Sequence, residues 1–203
     1  MTIQQPPSSP TPHGEQSFGI RSWQDMFRKL CFELDEFVET RASDRNMAAR
    51  GYRAINLAWT AWHVHDWFFE ERMDAGDHHL AVVSPVFPGK DFSIAKKDRR
   101  KCQSMFGDEL AERFEALSIC RTLATAGKHG KSESRPRPEL RAPEVRPIPW
   151  MADGPNGPIC WDVRVLVGTQ PWDARDLFLQ AIADWRQFFA LIGEAVPCVP
   201  INT

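Results

Sequence analysis

The sequence predicts an all-α fold, an antiparallel bundle of four to five helices with a Pro-rich β-hairpin inserted before the last helix. Long stretches of the chain repeat apolar residues every three or four positions, which is the period of a helix with one buried face. Only one segment comes close to the alternation of apolar and polar residues that marks a half-buried strand. The alternating strand and helix units of a doubly wound α/β fold are missing.

The first two helices are predicted from clear helical patterns. The first extends from Phe18 to about Arg41, and its apolar stripe consists of Trp23, Met26, Phe27, Leu30, Leu34, Phe37 and Val38. The second begins after Ser43, with Asp44 in its first turn, and ends near Met73. Its segment INLAWTAWHVHDWFF is apolar over most of the circumference, which is typical of a helix in the middle of a bundle.

Two further helices are predicted after a loop at residues 74–92, which is rich in glycine and proline. A short basic helix covers Ile94–Met105. A third long helix then begins at Gly107 or Asp108 and continues to about Ala126.

The hairpin is predicted between this helix and the last one. Seven prolines in residues 130–158 exclude a helix there. Ile159–Gly168 has the pattern of a half-buried strand, and its partner is placed at Glu144–Met151, at an edge because of its prolines. The last helix is capped by Asp173 and ends at Gly193.

Composition sets the class of protein. The chain has 203 residues, 42% of them hydrophobic, and a net charge of −2, which fits one globular domain. We expect a flexible tail at residues 1–17 and a single domain at 18–203, in which 130–170 form the Pro-rich loop and hairpin insertion. The near-neutral charge gives no general attraction to nucleic acid, so a phosphate partner needs a local basic patch.

Three features predict a cytoplasmic protein without a membrane partner. The five cysteines are scattered and form no CxxC pair, so we expect reduced thiols. The N-terminal segment lacks the apolar core of a secretion signal. No run approaches the roughly 20 apolar residues that span a bilayer.

Candidate site residues are charged groups at positions that should face the interior. Arg121 lies within an apolar arc formed by Leu110, Phe114, Leu117, Cys120 and Ala124, and Lys128 would join that arc in a continuous helix. Asp66 and His65 lie among the apolar positions of the second helix, whereas His63 lies on its polar face. Because a buried charge must be paired, the simplest arrangement joins Arg121 to Asp66, with His63 or His65 nearby.

The same residues are also compatible with a metal site or a phosphate contact. His63 and Asp66, at i and i+3, could share a metal ion, but no HExxH or ExxH motif supplies further ligands, so no cofactor or metal is predicted. Lys128 and Lys131, in GKHGK, suit a phosphate contact without matching a P-loop. The basic run from Lys96 to Lys101 is a solvated helical face or an RNA-backbone contact.

The segments AWHVHDWFF and ICRTLATAGKH give the chain a resemblance to a known family. One helix carries His-x-x-Asp-Trp, and a later helix carries arginine, small residues and Lys-His. This pattern resembles an uncharacterised bacterial branch of the HEPN superfamily (higher eukaryotes and prokaryotes nucleotide-binding). Its members are helical bundles, often dimeric, and many are metal-independent RNases of toxin–antitoxin and phage-defence systems. The family signature has four to six residues between arginine and histidine, whereas seven separate Arg121 from His129 here.

The resemblance implies roles for individual residues. Arg121 would stabilise the RNA phosphate, His129 would act as acid or base, and Asp66 or His63 would orient them. It also implies RNA as a partner, a homodimer, and a protein partner encoded nearby. The alternative is a non-catalytic interaction module or antitoxin-like partner in which the Arg–Asp pair is structural. A weaker third hypothesis is a metal-dependent enzyme centred on His63 and Asp66.

Overall fold

The computed structural model describes residues 19–42, 46–92, 98–129, 144–151, 159–167 and 170–199. The elements in these ranges are α1 (Trp23–Glu39), α2 (Met47–Asp74), α3 (Arg99–Arg113), α4 (Glu115–His129), β1 (Glu144–Met151), β2 (Ile159–Val167), β3 (Gln170–Asp173) and α5 (Ala174–Leu191). The fold is mostly helical and resembles a bundle. A three-stranded antiparallel sheet precedes α5, so the all-α prediction is right only in part.

Polar caps fix where the first two helices begin. The Ser22 side chain accepts a hydrogen bond from the Asp25 N–H, so α1 begins at Trp23, later than predicted. The Asn46 side chain accepts from the N–H groups of Ala48 and Ala49, so α2 begins at Met47. The predicted tail, and Ser43 and Asp44 at the predicted start of α2, lie outside the described residues.

The boundary between α3 and α4 differs from the prediction. Asp98 caps α3 by accepting from the Lys101 N–H, and the helix continues through Gly107 to Arg113. The break falls at Phe114, which has an extended backbone (φ −120°, ψ 106°). Phe114 is neither glycine nor proline and is itself buried, so the apolar pattern continues across the break and hides it. α4 then continues through Gly127, where the sequence suggested an end or a bend.

The predicted strand pair is confirmed, and a third strand joins it. β1 pairs with β2 in antiparallel register, with Pro147 opposite Val163 and Pro149 opposite Trp161. The strand order β1-β2-β3 leaves β1 at an edge, where proline costs no ladder hydrogen bond. β3 was not predicted, because it has only four residues and includes Pro171.

The prediction that α2 occupies the middle of the bundle is confirmed. It contacts each of the other four helices and both longer strands. Its Phe68 is fully buried, and the ring packs at centroid distances of 5.4 to 6.4 Å against Trp23, Phe106, Phe188 and Phe189. No helix among the described residues combines the length and apolar character needed to cross a membrane.

A buried arginine ties the sheet to the first two helices. The Arg50 side chain is only 1% exposed, and its guanidinium lies 3.6 Å from the centroid of the Phe37 ring. It donates to the Phe37 carbonyl and lies 3.8 Å from the Asp162 carboxylate on β2. Arg41 also pairs with Asp162, at 2.6 Å. Arg50 therefore neutralises a strand carboxylate while satisfying a carbonyl near the end of α1.

Candidate functional site

A polar cleft of about 340 Å³ lies between α2, α3 and α4. The residues that line it are Trp62, His63, His65, Asp66, Arg100, Gln103, Ser104, Gly107, Arg121, Ala124 and Thr125. Two arginines and two histidines line the cleft together with one carboxylate, that of Asp66. The central helix and the helices on either side of the Phe114 break thus build one shared site.

Arg121 forms one wall of the cleft. Its Nη2 lies 2.6 Å from the Asp108 carboxylate, and its Nη1 donates to the Gly107 carbonyl at 3.3 Å. The guanidinium also lies 5.2 Å from the centroid of the Trp62 ring, within range of a cation–π interaction. These bonds use two of the five N–H donors of an arginine, and the side chain remains 21% exposed.

The predicted Arg121–Asp66 pair is wrong, because Arg121 pairs with Asp108 on α3. The physical reason is the break at Phe114. In a continuous helix, residues 108 and 121 would lie about 20 Å apart along the axis. The extended residue lets α3 and α4 fold against each other, which brings Asp108 beside Arg121. A prediction in which the third helix begins at Asp108 places Asp108 and Arg121 on one continuous helix, so it does not bring them into contact.

Asp66 is instead the centre of a separate network. Its Oδ1 accepts from Gln103 Nε2 at 2.7 Å and lies 3.0 Å from His65 Nε2, while its Oδ2 lies 3.8 Å from His63 Nε2. Burial favours a raised pKa for Asp66, but the hydrogen bond and charge of His65, with smaller contributions from His63 and Gln103, hold this pKa below its usual value. Asp66 is therefore ionised in the cleft at neutral pH.

His65 is a buried support of this carboxylate. Its side chain is 7% exposed, and its Nδ1 lies 2.6 Å from the Trp62 carbonyl. Both ring nitrogens thus face oxygen acceptors. A Cβ added to Gly107 would lie 3.5 Å from His65 Nε2 and 3.2 Å from the Trp62 ring. Glycine at position 107 therefore lets α3 approach the Trp62 ring closely.

His63 lies at the exposed side of the network. Its side chain is 46% exposed, and its Nδ1 lies 2.7 Å from the Trp59 carbonyl. Since a carbonyl only accepts, Nδ1 carries the hydrogen in this bond. Nε2 is then the nitrogen that can gain or lose a proton. The structure thus brings together His63 and Asp66, as the helical spacing predicted.

The remaining predicted site residues lie at the C-terminal end of α4. Lys128 and His129 are the last two residues of this helix, seven and eight positions after Arg121. Eight positions correspond to a rise of about 12 Å. Their side chains and the whole of Lys131 lie outside the described residues.

Sequence reasoning missed three contributors to the site. Gln103 and Arg100 were assigned to a basic helix without a cleft, and Gly107 was taken as a helix start. The signal that could have found them is Asp98, which is a good N-cap and would have placed all three residues on one helix. With that boundary, Gln103 and Gly107 stand at i and i+4 and share a face.

Comparisons with protein-family models, with curated proteins and with solved structures find no match to this chain. Among the described residues, no group of three or more His, Cys, Asp or Glu side chains is placed to hold a metal ion.

Proposed function

We propose that this chain is a HEPN-like protein that acts on RNA as a metal-independent endoribonuclease, in a toxin or phage-defence role. The observation that carries the proposal is the cleft between α2, α3 and α4. It combines guanidinium groups for a phosphate with a histidine and carboxylate pair that can move a proton. The HEPN assignment itself rests on the residue pattern of α2 and α4.

The arginines of the cleft suit a phosphodiester. Arg121 is held by Asp108, Gly107 and Trp62, so its guanidinium is ordered before a ligand arrives. Preorganised cationic donors stabilise the charge that develops on a phosphate during transfer. Arg100 on α3 is exposed and also lines the cleft, and no ion pair involves it within the part of the chain that the structure describes. A phosphate bound in the cleft would find two arginine side chains in its lining.

An exposed aromatic ledge beside the cleft suits a single-stranded substrate. Tyr52 is 66% exposed and Trp59 is 37% exposed, which is unusual for side chains of this size. At 100° per residue, both share an arc of roughly 60° with His63 and Asp66. The rings of Trp59 and His63 have centroids 6.2 Å apart, so the ledge is continuous with the cleft. Aromatic side chains of this kind bind unpaired bases by stacking.

The C-terminal end of α4 adds the residues that the resemblance implies. Lys128 stands seven positions after Arg121, which is 20° short of two full turns and thus nearly in line with it along the helix. Under this proposal Lys128 and Lys131 contact phosphates and His129 takes part in proton transfer. The proposal includes a homodimer and a protein partner encoded nearby.

The test is cleavage of RNA by the purified protein in the presence of EDTA. We expect chelator-resistant cleavage by the wild type, and its loss in Arg121→Ala. The matched control is Arg28→Ala, which removes an exposed arginine of α1 that pairs only with Asp25 among the described residues. Circular dichroism of each variant establishes that the fold is kept. Absence of cleavage by the wild type, or equal cleavage by wild type and Arg121→Ala, would contradict the proposal.

A second candidate function is a non-catalytic interaction module. The observation that favours it is the ion pair of Arg121 with Asp108, which could serve only to hold α3 against α4. Under this alternative, Arg121→Ala lowers stability and no sample cleaves RNA. Cleavage that EDTA abolishes would instead indicate a metal-dependent enzyme.

A further inference from the structure

We infer that His63 is the proton-transferring group of the cleft and that Asp66 is its positioning residue. This inference rests on the proposed function and deepens it. It also differs from what the family resemblance implies, because the resemblance gives the acid–base role to His129.

The first step is the state of the His63 ring. Its Nδ1 donates to the Trp59 carbonyl at 2.7 Å, one helical turn earlier. This bond selects the tautomer in which Nε2 carries the lone pair. The side chain is 46% exposed and lines the cleft, so Nε2 is within reach of a substrate hydroxyl.

The second step is the role of Asp66. Gln103 and His65 hold its Oδ1, which leaves Oδ2 facing His63 Nε2 at 3.8 Å. A proton taken up at Nε2 places a positive charge beside this carboxylate. The carboxylate therefore stabilises the imidazolium that forms during catalysis. Asp66 touches no substrate in this arrangement and acts through His63.

The third step excludes His65 from the same role. Both of its ring nitrogens are engaged, with the Trp62 carbonyl and with Asp66, and the side chain is 7% exposed. A histidine whose two ring nitrogens are both engaged cannot exchange a proton with a substrate, although His65 lines the cleft. Of the two histidines at positions 63 and 65, only His63 has an exposed side chain and a nitrogen outside hydrogen-bond distance of its partner.

The charges that face His63 come from all three helices of the cleft. Asp66 lies on α2, Arg100 on α3 and Arg121 on α4. The Asp66 carboxylate favours the imidazolium. Asp108 on α3 already neutralises Arg121 at 2.6 Å, so the main opposing charge is Arg100, until a phosphate neutralises it. Binding of the anionic substrate thus favours transfer of a proton to His63, which couples recognition to chemistry.

The reaction in this arrangement is a transesterification within the RNA. His63 Nε2 takes the proton of a ribose 2′-hydroxyl, and the 2′ oxygen forms a bond to phosphorus as the bond from phosphorus to the 5′ oxygen breaks. The leaving oxygen takes a proton from water, and the imidazolium returns its proton to the resulting hydroxide. The products are a 2′,3′-cyclic phosphate and a 5′-hydroxyl, with Arg121 beside the phosphate.

The experiment compares His63→Ala with His129→Ala on a short single-stranded oligoribonucleotide in EDTA. General acid–base catalysis contributes about 10²–10⁴-fold, so we expect a loss of that size in His63→Ala, with partial rescue by added imidazole. The matched control is His78→Ala, which removes an exposed histidine of the loop after α2 and should cleave like the wild type. An oligonucleotide with a 2′-deoxy sugar at the cleaved position should resist cleavage, because it lacks the attacking 2′-hydroxyl.

The outcomes separate this inference from the proposed function. Cleavage that survives in His63→Ala but is lost in His129→Ala overturns the inference and leaves the proposed ribonuclease intact. No cleavage by the wild type overturns both. For Asp66, the readout is the pH–rate profile of Asp66→Asn, whose acidic limb should move to lower pH because the imidazolium loses its counter-ion. A reduced rate with an unmoved profile would make Asp66 merely structural.

Discussion

Replacing Asp66 with asparagine tests whether the cleft is held together by a charged network. Asp66→Asn keeps an oxygen acceptor for Gln103 and His65 but removes the negative charge. Charge-assisted hydrogen bonds are about twice as strong as neutral ones, and a neutral bond contributes about 1 kcal/mol. The weakening of two such bonds therefore lowers the free energy of unfolding by about 2 kcal/mol. Because the carboxylate is 32% exposed, we expect a smaller loss of about 1–2 kcal/mol.

The same network predicts how this loss depends on pH. The pKa of Asp66 is lowered in the folded protein, so its contribution to stability is fully present above the unfolded value of about 3.9. It is lost as the pH falls through the lowered folded value, because the carboxyl is then protonated in both states. The wild type should thus exceed Asp66→Asn in stability at about pH 7, and the difference should shrink in strong acid.

Urea unfolding, followed by circular dichroism at about pH 7 and in strong acid, measures the difference in the free energy of unfolding between the wild type and Asp66→Asn. The matched control is Asp74→Asn, which neutralises a carboxylate on the same helix whose side chain is 75% exposed and 3.4 Å from Arg99. We expect this control to change the free energy of unfolding by less than about 0.5 kcal/mol. An equal effect of the two substitutions at about pH 7, or an Asp66→Asn effect that does not vary with pH, would refute the reasoning.

Two more substitutions test other parts of the account. Arg50→Met leaves the buried Phe37 carbonyl without its donor and Asp162 with Arg41 as its remaining partner, so unfolding by urea should show a loss of about 1–3 kcal/mol. Arg28→Met on the exposed face of α1 is its control, and an equal loss in the two variants would contradict the role of Arg50 in tying the sheet to the first two helices. Trp59→Ala should weaken binding of single-stranded RNA by about 1–3 kcal/mol in a fluorescence anisotropy titration. Phe32→Ala removes another exposed aromatic ring and should leave RNA binding unchanged. An equal loss of RNA affinity in the two variants would argue against base stacking at Trp59.

The helical part of the fold could be predicted because burial follows the sequence period. α2 shows this most clearly, since Leu57, Ala61, Val64 and Phe68 recur at three- and four-residue steps and are all buried. The strand pair followed from alternation and from prolines that restrict β1 to an edge. The break at Phe114 could not be predicted, because a buried phenylalanine continues the apolar arc whether its backbone is helical or extended.

The candidate site could be predicted only where it depends on one helix. His63 and Asp66 stand at i and i+3, so their proximity follows from helical geometry alone. The partner of Arg121 depends on how α3 folds against α4, and hence on the Phe114 break. Gln103 and Gly107 complete the site through the same tertiary contact. The wrong boundary between α3 and α4 is therefore the cause of the wrong partner predicted for Arg121.

The most direct test of the central claim, that RNA binds in the cleft through Arg100 and Arg121, is the salt dependence of RNA affinity. The dissociation constant for a single-stranded oligoribonucleotide would be measured over a range of salt concentrations for the wild type, Arg100→Ala and Arg121→Ala. Each phosphate contact removed should reduce the slope of log affinity against log salt by about 0.7. The account predicts this reduction in both variants and none in Arg28→Ala. An unchanged slope in Arg100→Ala and Arg121→Ala would contradict it.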